Sequence, residues 1–484
     1  MGDLPRYKGP VRRQRASSPA GRGAASNNGP VRRRAAGQFA AAAKTTTPRL
    51  TSVIPEPTHR RTAEALDAAD PLGRFRDAFH ICDPDLCYLD GNSLGRLPRA
   101  TVEAIHTLLT EEWGRELVDG WAHWIDEPQD TGDLLGRATL GAGPGQTLVQ
   151  DTTSSNFYQL CVAAIQARPG RSTVIIDAAN FPTDRYILAG IAEAMDLRLI
   201  TLDNDGSGGP GAVALDSHCE IITAENLAQY LDDDVALVTL QVVQYRSGAI
   251  QDVPGITDLV RSHGALMVWD ASHAGGSIDL RFDEWGVDLA VGCTYKYGNA
   301  GPGAPAWLYV NVARQDELQV PIQGWFANRD QFEMGPVFEP ADGIRRFQIA
   351  TAPVIGLRAV RTAMSMIEEA GIGAIAAKAA RGTELMVALF DAWLAPLGFS
   401  LLTPREPHLR GGHITIAHPD AKQIAAAMRV LTRTIPDYRV PDSIRLAISP
   451  LPTSYTEVWD GFDRLRDLVA SERYRAVESD SRVP

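Results

Sequence analysis

Three polar residues of this sequence, Asp270, His273 and Lys296, have types and spacing that could support catalysis. Asp270 ends the apolar run GALMVW, His273 follows three residues later, and Lys296 lies in the glycine-rich segment CTYKYGNAGPG. In an open α/β sheet, ligands bind at the carboxyl ends of the strands, where Asp270 and Lys296 are predicted to lie. The ordinary alternatives are a helix-capping aspartate, a core or helix-start histidine, and a surface or phosphate-binding lysine.

This combination is typical of a site for pyridoxal phosphate (PLP). A lysine can form a Schiff base with the cofactor aldehyde, and a buried carboxylate can keep the pyridine nitrogen protonated so that the ring accepts electrons. The cofactor phosphate needs backbone N–H groups at a helix N-terminus, which the segment TTSSN (152–156) would supply together with hydroxyl groups. The sequence has no P-loop motif that would favour a nucleotide triphosphate site instead.

The segments around these residues alternate between strand and helix patterns. Continuous apolar runs predict strands that are buried on both faces, at 172–178, 234–243 and 264–272. Helical spacing predicts helices at 100–113 and 151–167. Together these patterns indicate a mainly parallel sheet flanked by helices.

The C-terminal part of the chain predicts a smaller α+β domain. A long helix within 346–371 would be closed by Gly371. Beyond it, a helix at 372–396, a strand at 411–417 and a helix at 420–433 are predicted. The expected fold class is therefore α/β, with a large domain and a smaller C-terminal α+β domain.

Composition and charge restrict the partners and the compartment. Residues 1–50 carry eleven Lys and Arg and one acidic residue, whereas the whole chain has a formal net charge of −12, so the rest of the chain is acidic. An acidic body argues against nucleic acid as the main partner, because phosphate binding needs a basic surface. No apolar run is long enough to predict a membrane span. The five cysteines form no CxxC pattern, which favours a reducing, cytoplasmic location and argues against a zinc site.

Longer sequence motifs indicate a protein family, which the spacing of single residues alone does not. They are, in chain order, ALDAADPLGRFRDAFHI, YLDGNSLGRLP, NFPTDRYI, WDASHAGG, FDEWGVDLAVGCTYKYGNAGPGAPAWLYV, GWFANRDQFEM, FEPADGIRRFQIATAP and IPDYRVPDSIRLAISPL. Over nearly all of residues 62–470, the chain resembles the kynureninase family, whose members are PLP enzymes of fold type I. The resemblance implies a PLP cofactor, a small-molecule amino-acid substrate, and a homodimer with shared active sites.

The resemblance also implies cofactor-binding roles for individual residues. Lys296 resembles the lysine of the Schiff base, and Asp270 resembles the aspartate that pairs with the pyridine nitrogen. Tyr295 is implied as a cofactor contact and, with Lys296, as a catalytic residue that donates a proton. The other implied cofactor contacts are Thr153 and Ser154 at the phosphate, Phe181 and Asp184 against the ring, His273, and Trp325 and Thr351 from a second subunit.

On the substrate side, Arg445 resembles the arginine that holds the α-carboxylate of the amino acid. The planar guanidinium can bind a carboxylate through two parallel hydrogen bonds, which explains an arginine there. Asn92, Trp121 and Asn328 are further candidates for substrate contacts. Two of these residues have an ordinary alternative. Arg445 could be a surface residue after a strand, and Asn92 could be a turn residue. The histidines show no ligand spacing, so no metal is predicted.

The implied reaction is hydrolytic Cβ–Cγ cleavage of L-kynurenine, or a ring-substituted kynurenine, to anthranilate and L-alanine. The chain departs from the family pattern at 120–124, 242–244, Gly298 and 327–328, and these departures are predicted to cluster where an aryl side chain would lie. They leave open a PLP enzyme of specialised (antibiotic) metabolism that acts on another amino acid, such as a cysteine S-conjugate, by C–S cleavage or by decarboxylation-coupled oxidative deamination. A non-catalytic PLP-fold protein is a third hypothesis, against which the intact catalytic residues argue.

The expected organisation along the chain has five parts. The first is a disordered basic tail at 1–50, for which an organelle transit peptide is the alternative. It is followed by an N-terminal segment at 51–110 that joins the small domain and by a large PLP-binding domain at 111–370. The last two parts are a small C-terminal domain at 371–475 and a tail at 476–484.

Overall fold

The computed structural model describes residues 54–204, 211–214 and 219–478. The basic segment at 1–50, predicted to be a tail, lies outside these residues. Among the residues described, no helix is long and apolar enough to cross a membrane. In the same part of the chain, no group of three or more His, Cys, Asp and Glu side chains is arranged to hold a metal ion.

Helices and strands alternate along most of the chain. The α-helices are α1 (Arg60–Ala68), α2 (Arg99–Thr107), α3 (Trp121–Trp124), α4 (Glu127–Leu135), α5 (Thr153–Gln166), α6 (Pro182–Ala194), α7 (Ala224–Ala228), α8 (Val253–Ser262), α9 (Val354–Ala370), α10 (Ile372–Leu389), α11 (Ala421–Leu431) and α12 (Tyr455–Ala470). The strands are β1 (Cys87–Tyr88), β2 (Thr147–Gln150), β3 (Thr173–Asp177), β4 (Arg198–Asp203), β5 (Val213–Ala214), β6 (Val235–Gln241), β7 (Leu266–Asp270), β8 (Leu289–Gly292), β9 (Ala306–Val310), β10 (Ser400–Leu401), β11 (His413–Ala417), β12 (Thr434–Ile435), β13 (Asp437–Arg439) and β14 (Ser443–Ala447).

The larger sheet has eight strands in the order β2-β9-β8-β7-β6-β3-β4-β5. All neighbouring pairs from β8 to β5 are parallel, and β9 runs antiparallel to both of its neighbours. The three strands that apolar runs predict at 172–178, 234–243 and 264–272 are β3, β6 and β7, which lie side by side in this sheet. The prediction of a mainly parallel sheet flanked by helices is confirmed.

Alternate residues of these strands enter two different hydrophobic cores. Met267 and Trp269 of β7 pack in the core on one face of the sheet, whereas Leu266 and Val268 pack in the core on the other. Because both faces are covered by helices, the strands are apolar at every position, which is why their sequences read as continuous apolar runs. Burial on both faces fixes the position of every residue that follows a strand end.

A smaller, antiparallel sheet lies in the C-terminal part of the chain, with the strand order β10-β11-β14-β13. One face packs Ile414 and Ile416 of β11 and Ile444 and Leu446 of β14 into a third hydrophobic core. The other face is polar: Asp437 pairs with Arg445, and Arg445 pairs with Thr415, across the sheet. Successive side chains of a strand point to opposite faces, so the small sheet presents this polar face away from its core.

The N-terminal segment is attached to the small sheet region. Strand β1 pairs in parallel with β12, and the backbone N–H of Ala447 donates to the carbonyl of Leu89 at 2.8 Å. These contacts agree with an N-terminal segment that joins the small domain, although the domain boundaries themselves stay a prediction.

Candidate active site

A cavity of about 370 Å³ lies at the carboxyl edge of the large sheet. Three neighbouring strands end at it, because Gln241 and Asp270 are the last residues of β6 and β7, and Lys296 comes four residues after the end of β8. The helices that follow β2 and β3 also begin here, which brings Thr153 and Phe181 to the same edge. Parallel strands gather residues that are distant in sequence at one edge of a sheet, and this is why the site forms here.

Lys296 is directed toward His273. Its Nζ lies 2.9 Å from Nε2 of the histidine. Burial, and next the positive charge of Lys296, lower the pKa of His273 well below its ordinary value, so the imidazole is neutral and can accept a hydrogen bond from the amine. The lysine Nζ also lies 6.0 Å from the centre of the Phe181 ring. These contacts hold the amine of the half-buried Lys296 in the cavity.

Asp270 is oriented by two hydrogen bonds. The backbone N–H of Ser272 donates to Oδ1 at 2.9 Å, and the side-chain amide of Gln241 donates to Oδ2 at 3.2 Å. Burial, and next the negative charge of Asp270, raise the pKa of Asp184 well above its ordinary value. A protonated Asp184 can donate a hydrogen bond to Asp270. The carboxylate of Asp270 would match a protonated ring nitrogen.

The N-terminus of α5 forms the anion-binding side of the cavity. Thr152 is the N-cap residue, and its hydroxyl accepts a hydrogen bond from the backbone N–H of Ser155 at 3.2 Å. Thr152, Thr153 and Ser154 all line the cavity. The first N–H groups of a helix have no partner within the helix and favour negative charge, so this turn suits a phosphate group.

Arg445 enters the cavity from the polar face of the small sheet. Its side chain is 1% exposed and forms an ion pair with Asp437, which is also buried. NH1 donates to the carbonyl of Tyr245 at 2.5 Å, and NH2 donates to Oγ of Ser93 at 3.0 Å. The arginine therefore joins the small sheet to the loop after β6, and the alternative of a surface arginine is excluded.

Five of the predicted residues do not line the cavity of a single chain. Trp121, Trp325 and Asn328 lie together in a separate place, which we call the aromatic patch: the Trp121 ring is 6.2 Å, and the Trp325 ring 4.4 Å, from that of Phe326. Trp325 is 41% exposed, and Thr351 is also exposed. Asn92 is fully buried, and its neighbour Ser93 lines the cavity instead. Roles for these five residues stay predictions.

Several residues that line or approach the cavity were not predicted from the sequence. Tyr245 follows β6 as Lys296 follows β8, so its position after a strand was a signal that could have found it. Arg439 also lines the cavity, but its place on β13 is visible only once the small sheet is formed. His413 is fully buried, with its ring centre 5.5 Å from that of His273 and with no hydrogen-bond partner for either ring nitrogen among the described residues.

The departures from the family pattern do not cluster in one place in a single chain. Gln244 donates to the carboxylate of Asp177 at 2.8 Å and does not line the cavity. A Cβ atom at Gly298 would lie 2.3 Å from the carbonyl oxygen of Thr294 and 3.0 Å from Met364, so a larger residue does not fit this backbone. Only the departures at 120–124 and 327–328 lie in the aromatic patch. In one chain, Gln244 and Gly298 have structural contacts, and the clustering of the departures around the substrate stays a prediction.

Comparison with known proteins shows the family of the chain. A protein from Burkholderia pseudomallei (strain 1106a) named kynureninase is 36% identical over 434 residues, which cover 88% of this chain and 99% of that protein. The chain belongs to the kynureninase family. A kynureninase from Pseudomonas fluorescens is 34% identical, with 85% of this chain and 96% of that protein covered. The model of the kynureninase C-terminal domain matches residues 375–465, which contain the small sheet and Arg445. The predicted family is confirmed.

A solved structure outside the kynureninases has the same fold. It is a variant of C-DES with glycine covalently linked to its PLP cofactor, and it superposes with a TM-score of 0.66, covering 80% of this chain and 96% of that chain. The two sequences are 17% identical, so this similarity concerns the fold alone. The predicted fold class, α/β of PLP fold type I, is confirmed.

Proposed function

We propose that this protein is a PLP-dependent hydrolase that cleaves the Cβ–Cγ bond of L-kynurenine, or of a ring-substituted kynurenine, to give anthranilate and L-alanine. The observation that carries the proposal is the convergence of Lys296, Asp270 and Arg445 on one cavity from three different segments of the fold. Relatives that are 34 to 36% identical over nearly their whole length have the same name, kynureninase.

The cavity fits the cofactor in its donor set. The N-terminus of α5, with Thr153 and Ser154, would hold the phosphate group, and Phe181 would lie against the ring. Asp270, supported by Asp184, would pair with the ring nitrogen. When bound, PLP withdraws electrons from the reacting carbons of the substrate. The buried Asp184 Oδ2 atom has no hydrogen-bond partner among the described residues, as expected for a polar group that faces a ligand.

The chain's own residues then bind the substrate and move protons. Arg445 holds the α-carboxylate, which directs the Cα–H bond toward the amine of Lys296. That amine can remove the Cα proton. The neutral His273, whose Nε2 lies 2.9 Å from Nζ, holds the amine in place. The neighbouring thiol of Cys293, and next burial, raise the pKa of Tyr295, so the phenol keeps its proton near neutral pH and can act as a donor.

No observation favours the alternative reactions on other amino acids. C–S cleavage is the activity of the structurally similar cystine C–S lyase C-DES, but at 17% identity that likeness concerns the fold alone. Among the described residues, the departures at 242–244 and Gly298 have structural contacts. The hydrolytic reaction is therefore the function that the site supports best.

Incubation of the PLP-loaded protein with L-kynurenine tests this function directly. Release of fluorescent anthranilate together with an equal amount of L-alanine is the expected result. A ring-substituted kynurenine serves as the second substrate, since the proposal covers both. If the protein binds PLP normally but releases neither anthranilate from L-kynurenine nor the ring-substituted anthranilate from the second substrate, the proposed reaction is wrong while the cofactor assignment stands.

The aromatic patch supports a homodimer with shared active sites. Phe332, Met334 and Val337 are 64 to 70% exposed and follow Trp325 within one segment, next to Trp121. The Trp325 and Phe332 rings lie 6.4 Å apart, and exposed apolar side chains that are grouped in one segment are typical of an interface. In the proposed dimer, this surface of one subunit covers the cavity of the other, and Trp121, Trp325, Asn328 and Thr351 complete the site there. We also propose a cytoplasmic location, since all five cysteines are free, as is usual in a reducing compartment.

Mixing two inactive variants is expected to restore activity if the sites are shared. In a heterodimer of Lys296→Ala and Trp325→Ala chains, one site carries both changes and the other carries none, so random exchange should return about a quarter of wild-type activity. Activity is measured before and after the subunits are exchanged. A mixture of Lys296→Ala and Asp270→Asn is the matched control, because both residues line the cavity of their own chain and each mixed site keeps one defect. Equal activity of the two mixtures would contradict sharing.

A further inference from the structure

The positive charge of Arg445 is already matched inside the protein. Its Nε and NH2 groups are paired with Asp437, and the remaining contacts to Tyr245 and Ser93 use further donors. The side chain is only 1% exposed. An arginine in this state is well oriented, but most of its hydrogen-bonding capacity is taken. A substrate carboxylate would need additional donors from another group.

Arg439 is a second guanidinium beside the same carboxylate. Its Nε lies 3.0 Å from Oδ2 of Asp437, and its side chain is 27% exposed and lines the cavity. Residues 437 and 439 are two apart on β13, so both side chains are on the polar face of the small sheet, across from Arg445. Although Nε is buried, it makes no hydrogen bond with any described residue.

The two arginines share one aspartate, so one positive charge of this group is not matched by Asp437. A carboxylate that entered between Arg439 and Arg445 would add negative charge beside both guanidinium groups and would accept hydrogen bonds from the N–H groups of Arg439 that have no partner among the described residues. Charge-assisted hydrogen bonds of this kind are about twice as strong as neutral ones. The more exposed Arg439 stands on the open side of the pair, where a small molecule in the cavity can reach it.

We propose that Arg439 binds the α-carboxylate of the substrate together with Arg445. This inference rests on the proposed function to the extent that the substrate is an amino acid. Arg445 is the fixed member, held by Asp437, Tyr245 and Ser93, and Arg439 supplies the donors that are free before the substrate binds. The selectivity of the site for molecules with a carboxylate next to the amine then depends on both arginines.

Ligand binding to the Arg439→Gln holoenzyme tests the proposal. The probes are L-alanine and ethylamine, which share the amine but differ in the carboxylate, and binding is followed by the visible absorbance of the cofactor and by calorimetry. The expected result is that L-alanine binds about tenfold to a hundredfold more weakly, whereas ethylamine binds as it does to the wild type. Arg439→Lys, which keeps the charge, should recover part of the loss. Arg405→Gln removes an exposed arginine paired with Asp391 and should bind both probes like the wild type.

A double variant separates direct binding from a positioning effect. If Arg439 only kept Asp437 and Arg445 in place, adding Arg439→Gln to Arg445→Gln would cause no further loss of L-alanine affinity, and the proposal would be wrong. Direct binding predicts a further loss of about tenfold. If Arg439→Gln also weakened ethylamine binding, the change would have damaged the site as a whole. The Arg439→Lys variant would then decide, because a failure to recover L-alanine affinity with the charge restored would overturn the proposal. A wild type that binds ethylamine but not L-alanine would instead contradict the proposed amino-acid substrate.

Discussion

Replacing Lys296 with alanine is expected to reduce turnover by about 10⁴-fold or more, because one change removes both the covalent attachment of the cofactor and the base that moves the substrate proton. The chain contains five lysines, and three of them lie in the described residues: Lys296, Lys378 and Lys422. Of these, Lys296 is the one that lines the cavity, whereas Lys378 is buried in an ion pair with Asp70. No other described lysine can take over its role.

The measurement combines kcat with the visible absorbance of the cofactor, and both should be lost in Lys296→Ala. Borohydride reduction of the wild type, followed by peptide mass mapping, should place the cofactor on Lys296. Lys422→Ala is the matched control, because Lys422 is exposed on α11 and should be dispensable. Substantial turnover by Lys296→Ala, or a label on another lysine, would show that the cofactor is attached elsewhere.

Replacing Asp270 with asparagine is expected to reduce kcat by about 10²- to 10⁴-fold, which corresponds to the 3–5 kcal/mol typical of breaking a buried charge pair. Asparagine is nearly the same size and can still accept the hydrogen bond from Ser272, so the shape of the site should survive. The change removes the negative charge that is proposed to pair with the ring nitrogen of the cofactor. We therefore expect weaker electron withdrawal by the cofactor, and a lower kcat, in a protein that still folds.

Three quantities separate these effects: kcat, the affinity for PLP, and the thermal unfolding temperature. In Asp270→Asn, kcat should fall much more than thermal stability. Asp234→Asn is the control, since Asp234 is a half-buried carboxylate that accepts hydrogen bonds from Ser172 and Thr173 just before β6, at the opposite edge of the same sheet. Near-normal kcat in Asp270→Asn would refute the pairing of this aspartate with the cofactor.

Much of the large domain could be predicted from the sequence, for a physical reason. A strand buried on both faces must be apolar throughout, so β3, β6 and β7 are recognisable in the sequence as apolar runs. The polar residues that end or follow such runs are therefore candidates for a functional site. Asp270 and Lys296 were found in this way. The helix N-terminus at Thr153 was visible from its capping residues. Resemblance to the family was needed to predict that Asp270, Lys296 and Thr153 bind one ligand, PLP.

Other parts of the site depend on contacts that the sequence does not display. Arg439 and His413 lie on strands of the small sheet, and nothing local shows which face of that sheet is turned toward the large domain. Arg445 was identified through resemblance, but its partners Asp437 and Ser93 became known only from the structure. Trp325 and Thr351 raise a different difficulty, because a role across subunits cannot be judged from one chain.

The alternation of the two faces of the small sheet links accurate folding to substrate recognition. If β14 were to slip by one residue, Arg445 would turn into the apolar core, and Ile444 or Leu446 would face Lys296. Burying an arginine without its aspartate costs several kcal/mol, so such a form would be strongly disfavoured. A partly misfolded enzyme with altered selectivity is therefore not an accessible state. Variants meant to accept new substrates are therefore best made at the side chains of the polar face while the strand pairing is kept.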